Sequence, residues 1–117
     1  MKKTQTKENY LERIPVRNPE IRWTTDDKSG LVTLEIDNKG VFNKLAQKFF
    51  KKPKVSYIHL DENGSFVWPI IDGEKNIIQL GEIVYEHFGE KANPLYERLS
   101  KFIGILDSYG FITFKKK

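Results

Sequence analysis

The sequence predicts an α+β domain: a small N-terminal antiparallel sheet followed by three helices, with one further helix inserted between the second and third strands. Three observations carry this. Alternating apolar residues mark strands ahead of residue 60, three helical apolar stripes follow one another within 60–111, and a β-branched and aromatic run closes the chain after a glycine. Asp61 stands where an N-cap belongs, ahead of the short apolar block Phe66, Val67, Trp68, Ile70 and Ile71. Pro69 lacks a backbone donor and so keeps this helix short or kinked. Asn76 and Gln79 have capping-box spacing before the second stripe, Ile77, Leu80, Val84 and Phe88, which Ile83 widens and Gly89 ends. The third helix, roughly 94–108, opens at Asn93-Pro94, read as a cap followed by proline at the first helical position. Its apolar face is Leu95, Leu99, Phe102, Ile103 and Leu106. Gly110 falls at a C-terminal cap, and Phe111, Ile112, Thr113 and Phe114 read as a brief strand. Three short helices and a terminal strand make a winged-helix-like body.

Upstream, residues 1–14 form a polar, lysine-rich segment expected to be flexible. Pro15, Val16, Arg17, Asn18 and Pro19 are held extended by two prolines and read as an arm lying on the domain. Residues 21–25 have strand character, and Asp26, Asp27, Lys28, Ser29 and Gly30 supply turn chemistry. Val32, Leu34 and Ile36 then alternate against Thr33 and Glu35, completing a hairpin. Residues 41–52 read as an amphipathic helix, with Phe42, Leu45, Ala46, Phe49 and Phe50 on one face and Lys44, Lys48, Lys51 and Lys52 on the other. Pro53 ends it. Residues 54–60 form the third strand, with Val55, Tyr57 and His59 on one side and Ser56, Ile58 and Leu60 on the other. The domain is placed at 15–114, with 115–117 a basic tail.

A chain of 117 residues with 38% hydrophobic and 31% charged content is one soluble globular domain. No apolar run approaches the ~20 residues that span a bilayer. The N-terminus has no apolar segment behind its lysines, so no signal peptide is expected. The absence of cysteine excludes disulfides and thiol catalysis and fits a reducing cytoplasm. The net charge of +4 is unevenly placed. Six lysines and no acid lie in 38–54, whereas residues 61–114 hold nine acids against four bases.

The chemistry-bearing residues argue against an enzyme. His59 and His87 have no ligand spacing around them, and the neighbouring carboxylates Asp61-Glu62 and Asp26-Asp27 suit capping and turns. Phosphate loops, nucleophile elbows and metal clusters are missing. No catalytic residue, metal site or cofactor is expected. An alternative is a small winged-helix DNA-binding transcriptional regulator docking the 94–108 helix in a major groove. That helix carries Arg98 and Lys101 against Glu97 and Asp107, beside acidic Glu82, Glu86 and Glu90, so it offers phosphates little net attraction. Nucleic acid is therefore the disfavoured partner. A third reading places an interaction surface on the Phe42 and Phe49 face of the inserted helix. Peptide binding needs only a sheet edge: if the three strands form a meander, 54–60 is an edge to which an extended peptide can add.

The runs Leu60-Asp61-Glu62-Asn63-Gly64-Ser65-Phe66-Val67-Trp68, Ile71-Asp72-Gly73 and Leu80-Gly81-Glu82-Ile83-Val84 occur in that order. They precede Phe102-Ile103, Leu106 and Tyr109-Gly110-Phe111-Ile112, with Arg22-Trp23 ahead of the hairpin. In this order the chain resembles the PqqD-like family over roughly 15–114. The resemblance implies a RiPP recognition element: three strands and three helices that bind the leader peptide of a ribosomally made precursor and present it to a modifying enzyme, often a radical SAM protein. It also implies a peptide paired with the third strand, at Lys54, Val55, Ser56, Tyr57, Ile58 and His59. The opposite wall of the groove would then be Leu95, Arg98, Leu99, Phe102 and Leu106 of the last helix. From the family's usual short connection between second and third strands, 41–52 departs as an insertion.

Overall fold

The computed structural model describes residues 10–37 and 55–116. The helix expected at 41–52, with its Phe42 and Phe49 face, and Lys54 lie outside the described residues. Among the described residues the elements run in order β1 (Pro15–Arg17), β2 (Arg22–Thr25), β3 (Val32–Asp37), β4 (Val55–His59), α1 (Glu62–Ile70), α2 (Ile77–Phe88), α3 (Leu95–Ser108) and β5 (Ile112–Phe114), with a 3-10 turn, Gly89–Ala92, between α2 and α3. The class is α+β, as the pattern of periods requires.

The hairpin and third strand form an antiparallel meander ordered β2-β3-β4. Register pairs Arg22 with Glu35 and Glu35 with Tyr57 across the three strands. The turn at 26–30 closes because the Asp26 carboxylate accepts from the backbone N–H groups of Lys28 and Ser29 at 3.1 and 2.7 Å. Those donors, Ser29 foremost, hold the Asp26 carboxyl below the usual carboxylate range. Gly30 adopts φ +76°, which only glycine takes without strain.

The extended arm has a partner that its own composition does not name. β1 pairs antiparallel with β5, so the two ends of the domain share a two-stranded sheet. The clasp continues on either side: Lys115 donates its backbone N–H to Ile14, Asn18 donates to Phe111, and the Arg13 guanidinium lies 4.1 Å over the Phe114 ring. Tyr10 stacks edge-on to the same ring. Residues 10–14 and Lys115 are thus part of the packed body, beyond the 15–114 span assigned from sequence. Burial raises the Tyr10 phenol pKa, with Asp107 adding to the effect and Arg13 opposing it.

Caps close the helices largely as their residue types demand. Asp61 accepts from Gly64 N–H at 2.8 Å, and Asn76 and Gln79 exchange reciprocal capping-box bonds, each 2.8 Å. α1 stops at nine residues, with Pro69 in its last turn. At the end of α3, Gly110 takes φ +79° while Gly110 and Phe111 donate back to Asp107 and Leu106, a Schellman closure. One boundary differs. Pro94 is the N-cap of α3 and not its first helical residue, and no side chain caps that end. Pro94 sits at ψ 108°, too extended to belong to the helix, so helical geometry begins at Leu95 and the Pro94 carbonyl accepts from Arg98.

The core lies between the meander and the helices. Trp68 is fully buried with Leu34, Ile36, Ile71, Ile77, Leu80 and Ile103. Trp23 of β2 meets Trp68 edge-to-face at 6.5 Å, which ties the sheet to α1. Ser65 is the one buried polar residue of this core among the described residues. Its hydroxyl accepts from Val32 N–H at 2.7 Å and donates to the Leu60 carbonyl at 3.2 Å. It thereby bridges the point where β3 and β4 part.

Candidate peptide-binding site

The direction of the main-chain groups of β4 that β3 does not use follows from its ladder. Leu60 N–H donates to Val32 C=O, and the register places 34 opposite 58 and 36 opposite 56. Hydrogen-bonded pairs alternate in an antiparallel ladder, so these even positions face β3. The N–H and C=O groups of Val55, Tyr57 and His59 therefore point away from it. Among the described residues no strand pairs with β4 on that side. Tyr57 is 59% exposed, the most open large hydrophobic residue described. Ile58 turns inward against the core, and the His59 ring meets the Thr33 hydroxyl at 3.0 Å.

A cleft of about 380 Å³ opens beside the end of this strand. Asp61, two residues past β4, lines it together with Asn63, Gly64 and Val67 of α1. Val84 and Ala92 also line it. The other wall is α3, through Leu95, Arg98, Leu99, Lys101, Phe102 and Ile105. Helical spacing puts 95, 98, 102 and 105 on one stripe, beside the core stripe of Leu99, Ile103 and Leu106. Gly64 lets α1 lie close to α3, and Gly81 lets α2 do the same outside the cleft. A Cβ on Gly64 would lie 3.1 Å from the Phe102 ring, and one on Gly81 would collide with the Tyr96 ring. Tyr96 donates its hydroxyl to the Ile78 carbonyl at 3.0 Å, fixing α3 against α2. Burial raises the Tyr96 pKa, with Glu82 adding to it.

Of the residues expected on the helical wall, Leu95, Arg98, Leu99 and Phe102 line the cleft together. Leu106 does not: it is 3% exposed and packs in the core. The strand residues 55–59 do not line it either; the lining residue nearest to β4 in the chain is Asp61, two positions past its end. Sequence reasoning passed over Lys101 and Ile105. Ile105 carried a legible signal, since an isoleucine stood outside the stripe assigned to the core, and it is 47% exposed. The Arg98 guanidinium donates to the Lys91 carbonyl at 3.0 Å and is positioned by it. Among the described residues, no cluster of three or more His, Asp or Glu could hold a metal, and no helix is long and apolar enough to cross a membrane.

A family model described as Coenzyme PQQ synthesis protein D (PqqD) matches residues 51–112, just over half of the chain. The chain belongs to the PqqD family. The matched span runs from the approach to β4 through all three helices to the first residue of β5, so the open strand edge and the cleft both lie within it. The first three strands precede it. No curated protein and no solved structure matches the chain.

Proposed function

We propose that this PqqD-family chain is a non-catalytic, winged-helix-like adaptor for a peptide. It captures the leader segment of a ribosomally made precursor and presents it to a modifying enzyme of the radical SAM type. Affinity comes from main-chain hydrogen bonds along the outer edge of β4, where Val55, Tyr57 and His59 offer donors and acceptors at every second residue. Side chains of α3 supply specificity. The observation that carries this reading is the outward-facing edge of β4, followed two residues on by Asp61 of a cleft walled by α3. The work is placed in the cytoplasm, where such precursors are made.

The test is titration of the purified protein with precursor peptides encoded beside it, followed by backbone amide shifts. Shifts should concentrate at 55–61 and along α3. Tyr57→Pro removes an outward donor without removing a bond to β3, so the fold survives and binding falls by at least about tenfold. Thr25→Pro does the same to the outer edge of β2 and leaves binding unchanged. A folded Tyr57→Pro protein that binds as tightly as the parent would sink strand addition.

A further inference from the structure

We infer that a shallow recess between α2 and α3 is a docking point for a partner protein that presents an arginine set among apolar residues. Glu82, Tyr85 and Glu86 of α2 line it with Leu95 and Tyr96 of α3. Leu95 is the one residue it shares with the cleft between α1 and α3, so a partner docked here stands beside whatever that cleft holds. The inference goes beyond the proposed function and stands whether or not β4 takes a guest.

Two tyrosine rings line the recess, and one of them is locked. The Tyr96 hydroxyl donates to the Ile78 carbonyl at 3.0 Å, and its ring lies so close over Gly81 that a Cβ there would collide with it. Tyr85 is 42% exposed, whereas Ile77, Leu80 and Val84 of the same helix are buried. An aromatic side chain left in water beside a fixed one is surface that a partner gains by covering, and a ring face attracts a cation.

The charge fixes the sign of the partner. Helical spacing puts Glu82, Tyr85 and Glu86 on one face of α2, a helix without lysine or arginine. Burial first and Glu82 second raise the Tyr96 pKa, which sets that carboxylate beside the ring. Neither Glu82 nor Glu86 has an ion-pair partner among the described residues. Those residues carry fifteen acids against ten bases, so a basic face is drawn in from a distance. A guanidinium suits the recess better than an ammonium. It is planar and weakly hydrated, stacks on aromatic rings and meets carboxylates through two bonds at once. The recess is too open to enclose a free small molecule. It fits a side chain delivered by a larger surface, whose apolar neighbours cover Tyr85 and Leu95.

Amide shifts of the full chain, titrated with synthetic peptides of about eight residues, test it. The peptides stand in for the partner's face: a glycine/serine body with leucine on either side of arginine, lysine or citrulline, the uncharged isostere of arginine. The arginine peptide should shift Glu82, Tyr85, Glu86 and Tyr96, and bind at least about threefold tighter than the lysine peptide and about tenfold tighter than the citrulline one. Tyr85→Ala, a truncation of an exposed side chain, should weaken it at least about threefold. Glu82→Gln with Glu86→Gln should erase its lead over citrulline, while Glu90→Gln, outside the recess, should leave that lead in place. Tyr57→Pro should change none of these affinities, so strand addition on β4 and this recess fail separately. Equal binding of arginine and lysine, a lead kept in the double variant, or shifts confined to 55–61 and the other cleft would each overturn the inference. So would silence from every peptide at about 10 mM, or a dimer of the parent chain in sedimentation that Tyr85→Ala splits, since a second copy would then be the occupant.

Discussion

β1 and β4 are both edge strands, yet only β4 keeps a backbone donor at every outward position. Hydrogen-bonded positions in the clasp are 14, 16 and 18, opposite 115, 113 and 111, so Pro15 and Arg17 face outward from β1. Pro15 has no N–H to offer, the strand is three residues long, and Arg13 and Tyr10 close over Phe114 beside it. Short length and proline are common ways of blunting an edge. β4 is five residues long, has a donor at every outward position and is followed, two residues on, by Asp61 of the apolar cleft. The contrast teaches that the outward parity of a strand matters as much as its exposure.

The largest expected effect tests that parity directly. Val16→Pro removes a ladder donor to β5, so urea unfolding should show a loss of about 3 kcal/mol, whereas Tyr57→Pro should cost well under half of that. Equal losses would mean that the outward and inward positions of β4 have been exchanged. Next in size is Ser65→Ala. It strands the Val32 N–H and the Leu60 carbonyl where β4 leaves the sheet, at a cost of about 1–3 kcal/mol. Hydrogen exchange at Val32 should quicken with it, and an unchanged rate would remove the serine from its bridging role.

The smallest effect belongs to the far end of the meander. The Asp26 carboxyl is held low in the folded state, so its contribution is present above the ordinary aspartate range and is lost as pH falls through its depressed value. Lys75, chiefly, and Glu74 N–H act likewise on Asp72. Melting temperatures of Asp26→Asn and the parent should therefore differ at about pH 7 and converge at about pH 2. A difference independent of pH would mean that the turn is closed by shape alone.

Much of the helical half was legible because its signals are local. A cap, a capping box, a proline near a helix end and a C-terminal glycine act within one turn of the chain, and Asp61, Asn76, Pro69 and Gly110 each do what their type predicts. The one-residue shift at Pro94 arises where two local rules compete, since proline suits both the first helical position and the extended residue before it. The groove was less legible. Leu106 shares its period with Leu99 but turns into the core, because α3 carries two adjacent apolar stripes and periodicity alone does not say which one is covered.

Taken by itself, the sequence determined the α+β class, the order of the described elements from β2 to β5 and the family, all of which rest on neighbours within a few residues or on motif order. Tertiary structure alone decided that β1 clasps β5, that the backbone of Tyr57 faces outward, and that Asp61, Lys101 and Ile105 meet around one hollow. Those outcomes depend on pairing between segments as far apart as Pro15 and Phe114. Such pairing is selected by the energy of the whole packed core, which no short stretch encodes.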